Sequence, residues 1–336
     1  MTISEKIPIW LDCDPGNDDV FAILLAAYDP RFNLVGISTV HGNAPVEMTT
    51  HNTLGLLDLL NFEQDEVKVY RGSEAPLVNP PKFALDIHGS TGLGGASVPE
   101  DPRIHVSTDM TYLEAMRQAI LKYEHKLCVV CTGTLTNISK LITAYPDLKS
   151  KIKYLPVMGG GLNIGNVTPY AEFNFNADPH AAKHVVEELG YKMILAPLNF
   201  THTVIATPEV MRSIYDPNTS RNSPIRRFFY NILEFYAEAY KTNFGFVGPP
   251  IHDPLALFSV LPFLDYDQDY HYKYLRRKLS VVDTGEKAGQ TIVINDSLDL
   301  SIEEENGVYI GVLVNTSKFW GSIMDALDAA QKSISK

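Results

Sequence analysis

The chain has 336 residues, of which 45% are hydrophobic, and this is enough to bury the core of one large domain. Its formal net charge is −12, from 40 acidic and 28 basic residues, and the basic residues form no stripe in the sequence. A polyphosphate backbone would repel such a chain, so we expect no nucleic-acid partner. The sequence shows neither a signal-peptide pattern at its start nor a run of about 18 apolar residues, so we expect a cytoplasmic protein without a membrane partner.

Short apolar, β-branched runs alternate along the chain with longer segments of helical period. Strands are predicted at residues 7–13, 34–39, 67–70, 127–131, 152–158 and 192–197. Helices are predicted at residues 20–28, 48–60, 111–123, 179–189, 224–240 and 254–261. This alternation predicts an α/β fold with a mainly parallel, doubly wound, Rossmann-like sheet and helices on both faces.

The last part of the chain carries three further strand-like runs, LSVVDTG, TIVIND and VYIGVLVN, at hairpin-like spacing. We expect them to form a small antiparallel addition at the sheet edge, outside the parallel order. No linker-like composition divides the sequence, so a single domain is predicted over residues 1–336.

Several predicted strands end in small or polar residues, in the segments DCDPGNDD, VHGN, TGTLTN and MGGG. In open α/β sheets the ligand binds beyond the carboxyl ends of the strands, so we expect these segments to converge on one site. Two stretches rich in glycine and proline, residues 79–102 and 243–250, are predicted loops, and either could act as a lid.

Four aspartates, Asp12, Asp14, Asp18 and Asp19, occupy eight residues between a predicted strand and a predicted helix. Helix capping explains one or two of them, but carboxylates about 4 Å apart repel by roughly 4 kcal/mol at an effective dielectric of 20. A cation relieves that repulsion, and an all-oxygen site with several carboxylates favours Ca²⁺ over Mg²⁺. An EF-hand is excluded because Ile23 stands where its bidentate glutamate is required.

The three cysteines, Cys13, Cys128 and Cys131, are too few for a disulfide framework and fit a reducing compartment. Cys128 and Cys131 spell CxxC, yet they lie in a predicted buried strand, where positions three apart point to opposite faces. We therefore interpret them as core residues and not as a metal or redox site.

At this point the segment DCDPGNDD resembles the DxDPGxDD signature of the inosine-uridine-preferring nucleoside hydrolases. The resemblance continues through VHGN, TGTLTN, VMGGG, GNVTPYAEFN and IHDP in the family's order and covers nearly the whole chain. Within the family, the sequence resembles the fungal uridine nucleosidases in particular. Two positions depart from the pattern, Thr134 in place of a common proline and Phe21 in place of a smaller aliphatic residue, and both leave every candidate ligand in place.

The resemblance implies a calcium site formed by Asp14, Asp19, Asp253 and the backbone carbonyl of Thr132, with Asp12 behind it. Asp14 would also be the general base, and the catalytic residue His252 would face the leaving base. The side chains that the resemblance places around the ribonucleoside are Asp18, Asn43, Met158, Asn166, Glu172, Asn174, His88, Tyr236 and Tyr240.

The implied activity is calcium-dependent hydrolysis of the N-glycosidic bond of ribonucleosides to ribose and free base, in nucleoside salvage. Uridine is the expected substrate, with inosine, cytidine and nicotinamide riboside as further candidates. The chemistry agrees, since an oxocarbenium-like transition state needs an activated water, and calcium alone is too weak a Lewis acid to make hydroxide at neutral pH. A carboxylate base such as Asp14 is therefore required. The family also implies a homodimer or homotetramer.

Taken alone, the individual residues allow simpler interpretations. Asp253 could be the N-cap of a helix whose first residue is Pro254, and Tyr236 and Tyr240, spaced i, i+4, could pack in the core. His88 could be a solvated loop residue, while Asn166 and Asn174 could form turns.

Two other functions also remain open. A metal-dependent phosphatase of the haloacid-dehalogenase type would use Asp12 and Asp14 as its aspartate pair, although Gly16 stands where that class has threonine or valine. A non-catalytic calcium-dependent nucleoside-binding protein would use the same cleft. The presence of both Asp14 and His252 favours catalysis, because binding alone needs neither a base nor an acid.

Overall fold

The computed structural model describes residues 5–265, 268–294 and 306–335, and they form an α/β structure around one large sheet. The strands are β1 (Ile7–Cys13), β2 (Phe32–Thr39), β3 (Val69–Arg71), β4 (Cys128–Cys131), β5 (Leu155–Met158), β6 (Met193–Ala196), β7 (Lys273–Arg277), β8 (Leu279–Val281), β9 (Thr291–Val293) and β10 (Val308–Leu313). The α-helices are α1 (Asp19–Tyr28), α2 (Val46–Leu59), α3 (Leu85–His88), α4 (Tyr112–Lys122), α5 (Thr136–Ala144), α6 (Leu148–Lys151), α7 (Phe173–Ala177), α8 (Pro179–Leu189), α9 (Leu198–Thr201), α10 (Pro208–Ile214), α11 (Pro224–Phe244), α12 (Asp253–Phe258), α13 (Leu261–Leu264) and α14 (Thr316–Ile334).

The main sheet has eight strands in the order β3-β2-β1-β4-β5-β6-β10-β7. Neighbours are parallel throughout except for the pair β10 and β7. The order of the first six strands is that of the doubly wound dinucleotide-binding folds, and it reverses between β1 and β4. The predicted fold class is confirmed, and the reversal point gives the place where such sheets bind ligands.

Helices cover both faces of the sheet, because alternate residues of the buried strands point to opposite sides. In β1, Ile9 and Leu11 join a core with α1, α11, α12 and α14, whereas Trp10 joins a second core with α4, α5 and α8. Cys128 and Cys131 belong to different cores and are free thiols. Their interpretation as core residues is confirmed.

The C-terminal strands differ from the prediction. VYIGVLVN contains β10, which pairs in parallel with β6 inside the main sheet, so its placement outside the parallel order was wrong. The runs LSVVDTG and TIVIND contain β8 and β9, which form a separate two-stranded antiparallel sheet. Residues 295 and 296 of TIVIND lie outside the described residues. The antiparallel edge of the main sheet is β7, which the sequence pattern did not predict.

Helix bounds agree with the predictions to within a few residues, and the predicted helix at 179–189 is α8 (Pro179–Leu189). The helix predicted at 224–240 continues to Phe244, which brings part of the predicted loop 243–250 into α11. The 19-residue helix α14 was missed, although its N-cap Asn315 accepts a hydrogen bond from the backbone N–H of Lys318. Among the described residues, no helix combines the length and the apolar character that crossing a bilayer requires.

Candidate active site and metal centre

A cavity of about 350 Å³ opens at the carboxyl ends of the parallel strands. The loops that follow β1 and β4, the strands at the reversal point, both contribute to it through Asp18 and Thr132. Its lining consists of Asp18, Asn43, Phe83, Ala84, Asp86, Ile87, His88, Thr132, Met158, Asn166, Val167, Glu172, Phe173, Asn174, Tyr236, Tyr240, Asn243, Phe244, His252 and Asp253. The predicted site residues are all among them, except Asp14 and Asp19, which are buried and lie outside that lining.

The acidic loop connects β1 to α1, and its aspartates do more than cap the helix. Asp18 precedes α1, but its side chain caps no backbone N–H there; its Oδ2 accepts a hydrogen bond from the backbone N–H of His252 at 3.2 Å. Asp19 accepts from the backbone N–H of Gly16 at 2.9 Å and from the hydroxyl of Thr132 at 2.8 Å. The two carboxylates therefore connect the loops after β1 and β4 and the segment before α12.

Asp14 is fully buried, with one oxygen anchored and the other without a partner. Its Oδ2 accepts a hydrogen bond from the backbone N–H of Asn43 at 2.7 Å, whereas Oδ1 has no hydrogen-bond partner. Gly42 and Gly133 make room for this carboxylate, since a Cβ at either position would lie 2.0 Å from Oδ2 or 2.5 Å from Oδ1, respectively. A buried, unpartnered carboxylate oxygen is a ready acceptor for a proton or a ligand for a cation.

Carboxylate oxygens of Asp18, Asp19 and Asp253 lie within 4.8 Å of one another, and all three residues are buried. Burial and then the charge of Asp19 raise the pKa of Asp18 to about 7. Burial and then neighbouring aspartates also raise the pKa of Asp14 and of Asp253.

In the described part of the chain, no lysine or arginine pairs with any of these four aspartates. A cation would offset their mutual repulsion, so the cluster could hold a metal ion. This group of three close carboxylates includes Asp18, which was predicted to bind ribose, and does not include Asp14, which was predicted to bind the metal. The charge of Asp18 nevertheless acts on Asp14, whose pKa it raises.

Asp12 lies behind this cluster, outside the cavity lining. Its Oδ1 accepts hydrogen bonds from the hydroxyl of Ser38 and, at 2.7 Å, from the side-chain amide of Asn137. Burial raises its pKa to about 7, although the two hydrogen bonds lower it. Asp12 is therefore a buried, hydrogen-bonded carboxylate that does not face the cavity.

One wall of the cavity is built by the segment around α7. Glu172 precedes α7 and caps it, accepting from the backbone N–H of Asn174 at 2.8 Å and from that of Gly160 at 2.8 Å. The amide nitrogen of Asn174 donates to the backbone carbonyl of Thr132 at 2.8 Å. Asn174 is thus part of a short helix and not a turn former, and it contacts the carbonyl that the sequence analysis predicted as a metal ligand.

Burial raises the pKa of Glu172 to about 7, although its backbone hydrogen bonds lower it. Asn166 lies beside this wall, and its buried Oδ1 has no hydrogen-bond partner. Both residues therefore offer polar atoms to a ligand in the cavity.

Across the cavity, His252 is bonded at both of its ring nitrogens. Nε2 lies 2.7 Å from the hydroxyl of Tyr240, and Nδ1 lies 2.7 Å from the hydroxyl of Thr201. The hydroxyl of Tyr236 donates to that of Tyr240 at 3.5 Å. Both tyrosines line the cavity, so they do not only pack in the core. Burial, followed by the nearby rings of His202 and His88, lowers the pKa of His252.

The helix after this histidine begins one residue earlier than predicted. Asp253 is the first residue of α12 and His252 its N-cap, so the alternative interpretation of Asp253 as the N-cap does not hold. The α conformation of His252, with φ −84° and ψ −58°, already leads into the helix. The carboxylate of Asp253 therefore does not cap this helix and belongs to the acidic cluster.

His88 is buried and not a solvated loop residue. Its Nδ1 accepts a hydrogen bond from the backbone N–H of Asn17 at 3.0 Å, and its ring centre lies 5.6 Å from that of Tyr236. Burial lowers the pKa of His88 to about 3, so the ring is neutral near pH 7. The amide of Asn52 further ties the same loop to the acidic loop, donating to the carbonyls of Pro15 at 3.1 Å and Thr91 at 2.9 Å.

Sequence reasoning missed several residues of the cavity. Phe83 and Asp86 come from the glycine- and proline-rich loop in which only His88 was selected, and Asn243 and Phe244 lie one turn beyond Tyr240. The only sequence signal for these four residues is that they lie close in sequence to His88 or to Tyr240, which were predicted. Thr201 lies behind the cavity and contacts His252; its signal in the sequence is the segment PLNFT, whose polar residues follow the end of β6.

The lining of the cavity is acidic. Asp18, Asp86, Glu172 and Asp253 line it, and neither lysine nor arginine occurs among the described lining residues. Phosphate groups are usually held by such cations or by a bound metal ion. The lining suits a neutral or cationic small molecule better than a phosphate ester.

Known proteins resemble this chain over most of its length. The family model described as inosine-uridine preferring nucleoside hydrolase matches residues 9–321. The chain is 42% identical to the uridine nucleosidase of Saccharomyces cerevisiae, covering 99% of this chain and 98% of that protein. It is 35% identical to a pyrimidine-specific ribonucleoside hydrolase of Escherichia coli, covering 76% and 79%. The solved purine-preferring ribonucleoside hydrolase from Gardnerella vaginalis superposes with a TM-score of 0.83 at 28% identity, covering 97% of this chain and 99% of that one.

Proposed function

This chain belongs to the inosine-uridine preferring nucleoside hydrolase family, and on that premise we propose that it hydrolyses the N-glycosidic bond of ribonucleosides to ribose and free base. The observation that carries the proposal is the pairing of a buried aspartate cluster with the His252–Tyr240 pair across one cavity. Uridine is the first candidate substrate, because one relative is named a uridine nucleosidase and another a pyrimidine-specific ribonucleoside hydrolase. Inosine, cytidine and nicotinamide riboside are further candidates in nucleoside salvage.

We propose that the metal is Ca²⁺, held by Asp14, Asp19, Asp253 and the backbone carbonyl of Thr132. These groups offer oxygen atoms only, which suits a hard cation of flexible coordination, and Asp18 adds a further oxygen to the same group. When bound, the ion would help to orient the ribose diol and would make a nearby water more acidic.

Asp14 is proposed as the general base. Its Oδ1 has no hydrogen-bond partner and can take a proton from the attacking water, while the backbone of Asn43 fixes Oδ2. The nearby charge of Asp18 would stabilise the positive charge that develops on the ribose.

The other predicted lining residues are proposed to position ribose. Asp18 belongs to the carboxylate cluster, Asn43 donates to Asp19, and Asn174 donates to the carbonyl of Thr132. The 2′- and 3′-hydroxyls of ribose would bind to these three side chains. Met158, Asn166 and Glu172 would contact the sugar at its 5′ end. These contacts would hold the sugar in a fixed orientation close to the general base Asp14, which favours the reaction.

His252 is proposed to help the nucleobase leave, acting together with Tyr240. Burial raises the pKa of Tyr240, so its hydroxyl keeps its proton at neutral pH and can donate a hydrogen bond towards His252 or the base. His88 and Tyr236 would form the wall around the base. A proton delivered to the departing base contributes about 10²- to 10⁴-fold in rate.

We also propose a homodimer or homotetramer in the cytoplasm. The quaternary state is suggested by the family resemblance alone. The location is supported by Cys13, Cys128 and Cys131, which are buried free thiols.

The proposed function is tested by base release from uridine, cytidine, inosine, adenosine and nicotinamide riboside, with and without a chelator. We expect roughly one calcium per chain, loss of turnover after its removal and recovery when calcium is returned. A calcium-free preparation with full activity would contradict the metal proposal. Phosphate release from an ester without base release would favour the phosphatase, and nucleoside binding without turnover would favour a binding protein.

A further inference from the structure

Thr201 contacts the proposed leaving-group machinery from behind. It is the last residue of α9, the short helix that follows β6. Its side chain is fully buried and is not part of the cavity lining. Its hydroxyl lies 2.7 Å from Nδ1 of His252. The same hydroxyl lies 3.4 Å from the carbonyl of Leu198, one turn earlier, to which it can donate.

The His252 ring is therefore held at both nitrogens, by Thr201 at Nδ1 and by Tyr240 at Nε2, each at 2.7 Å. Since the two nitrogens lie on opposite edges of the imidazole, two such bonds fix the rotation of the ring about its bond to Cβ. Ring packing alone would hold it less firmly, because the rings of His202 and Tyr240 lie 5.7 Å and 5.8 Å away, centre to centre.

A threonine hydroxyl is suited to this position because it is both donor and acceptor. It can bond to Nδ1 whether or not that nitrogen carries a proton, so the ring keeps its orientation through a proton transfer. Valine has nearly the same shape but no group for Nδ1, and a buried ring nitrogen without a partner favours reorientation of the ring.

We propose that Thr201 is a positioning residue for nucleoside hydrolysis, holding His252 so that its Nε2 stays on the hydroxyl of Tyr240. The inference rests on the proposed function, in which His252 and Tyr240 protonate the departing base. It assigns Thr201 to the leaving-group step and not to water activation, because its hydroxyl bonds to His252 and not to the aspartate cluster.

The test compares Thr201→Val and Thr201→Ser on uridine and on p-nitrophenyl riboside. Uracil needs a proton to leave, whereas p-nitrophenolate does not. Thr201→Val should lower kcat on uridine by about 10- to 100-fold, the range known for lost hydrogen bonds that orient metal-ligating histidines, with KM changed little. Turnover of p-nitrophenyl riboside should change by less than about threefold, and Thr201→Ser should restore uridine turnover.

Thr53→Val is the matched control for loss of a buried threonine hydroxyl, since Thr53 is also fully buried and its hydroxyl donates to the carbonyl of Thr49 at 2.8 Å. It should leave both substrates unaffected. If Thr201→Val does not fold, Thr201→Ala is measured in its place, and activity on p-nitrophenyl riboside reports the folded fraction.

His252→Ala separates this inference from the function on which it rests. If His252→Ala slows uridine but Thr201→Val does not, the positioning role is overturned alone. If Thr201→Val slows both substrates equally, Thr201 is merely structural and the inference is again wrong. If His252→Ala has no effect on uridine, the proposed leaving-group role fails, and the role of Thr201 fails with it.

Discussion

Replacing Asp14 by asparagine should lower kcat for uridine by about 10²- to 10⁴-fold, the usual contribution of a general base, while the protein stays folded. The amide is nearly isosteric, and its oxygen can still accept the hydrogen bond that the backbone N–H of Asn43 now donates at 2.7 Å. The amide nitrogen then takes the place of the unpartnered Oδ1, where it cannot accept a proton from water.

The measurement is steady-state turnover of Asp14→Asn beside thermal unfolding and calcium content. Because Asp14 is also a proposed metal ligand, the rates are compared at saturating calcium, so that weaker binding is not mistaken for loss of the base. Turnover within tenfold of the parent enzyme, with calcium bound, would remove Asp14 from the role of base.

Uridine should be preferred over 2′-deoxyuridine by about 10⁴-fold in kcat/KM, since sites built to bond a hydroxyl can reject its absence by that factor. The groups proposed to meet the 2′-hydroxyl are buried. Asp18 is 3% exposed and Asn174 is 5% exposed, so neither is compensated by bulk water when its partner is missing. The cation held by the same cluster would also lose a ligand.

The matched substrate for this comparison is 5-methyluridine, which is altered on the base and keeps the ribose. It should differ from uridine by far less than 2′-deoxyuridine does, because one methyl group contributes only about 1–3 kcal/mol. Similar kcat/KM values for uridine and 2′-deoxyuridine would show that the aspartates and Asn174 do not bind the diol.

The parts of the fold that were predictable carry a strong local signal. The strand ending in DCDPGNDD is buried on both faces and its apolar run is continuous, so β1 matches the prediction at both ends. The helix α8 begins with proline after Asp178 and ends before Gly190, which are ordinary start and stop signals.

The parts that failed depend on contacts distant in sequence. VYIGVLVN follows two short strands at hairpin-like spacing, yet β10 pairs with β6 more than 100 residues earlier in the chain. Local spacing cannot distinguish a hairpin from a return to the parallel sheet, because both satisfy the same apolar pattern.

The candidate site shows the same division. The strand-end rule correctly brought together the loops after β1 and β4, because the reversal of strand order lies between them. It could not show that Asp14 and Asp19 lie behind the cavity lining while Asp18 faces it, since that depends on side-chain directions within one loop. Nor could it show that Tyr240 bonds to His252, which requires α11 and α12 to meet.

Product analysis with uridine tests the central claim most directly. The calcium-loaded enzyme should release uracil and free ribose in equal amounts at an unchanged rate whether or not phosphate is present, because water is the nucleophile and the cavity holds no lysine or arginine for a phosphate among its described lining residues. Formation of ribose 1-phosphate, a requirement for phosphate, or no uracil release at all would contradict the assignment of this chain as a ribonucleoside hydrolase.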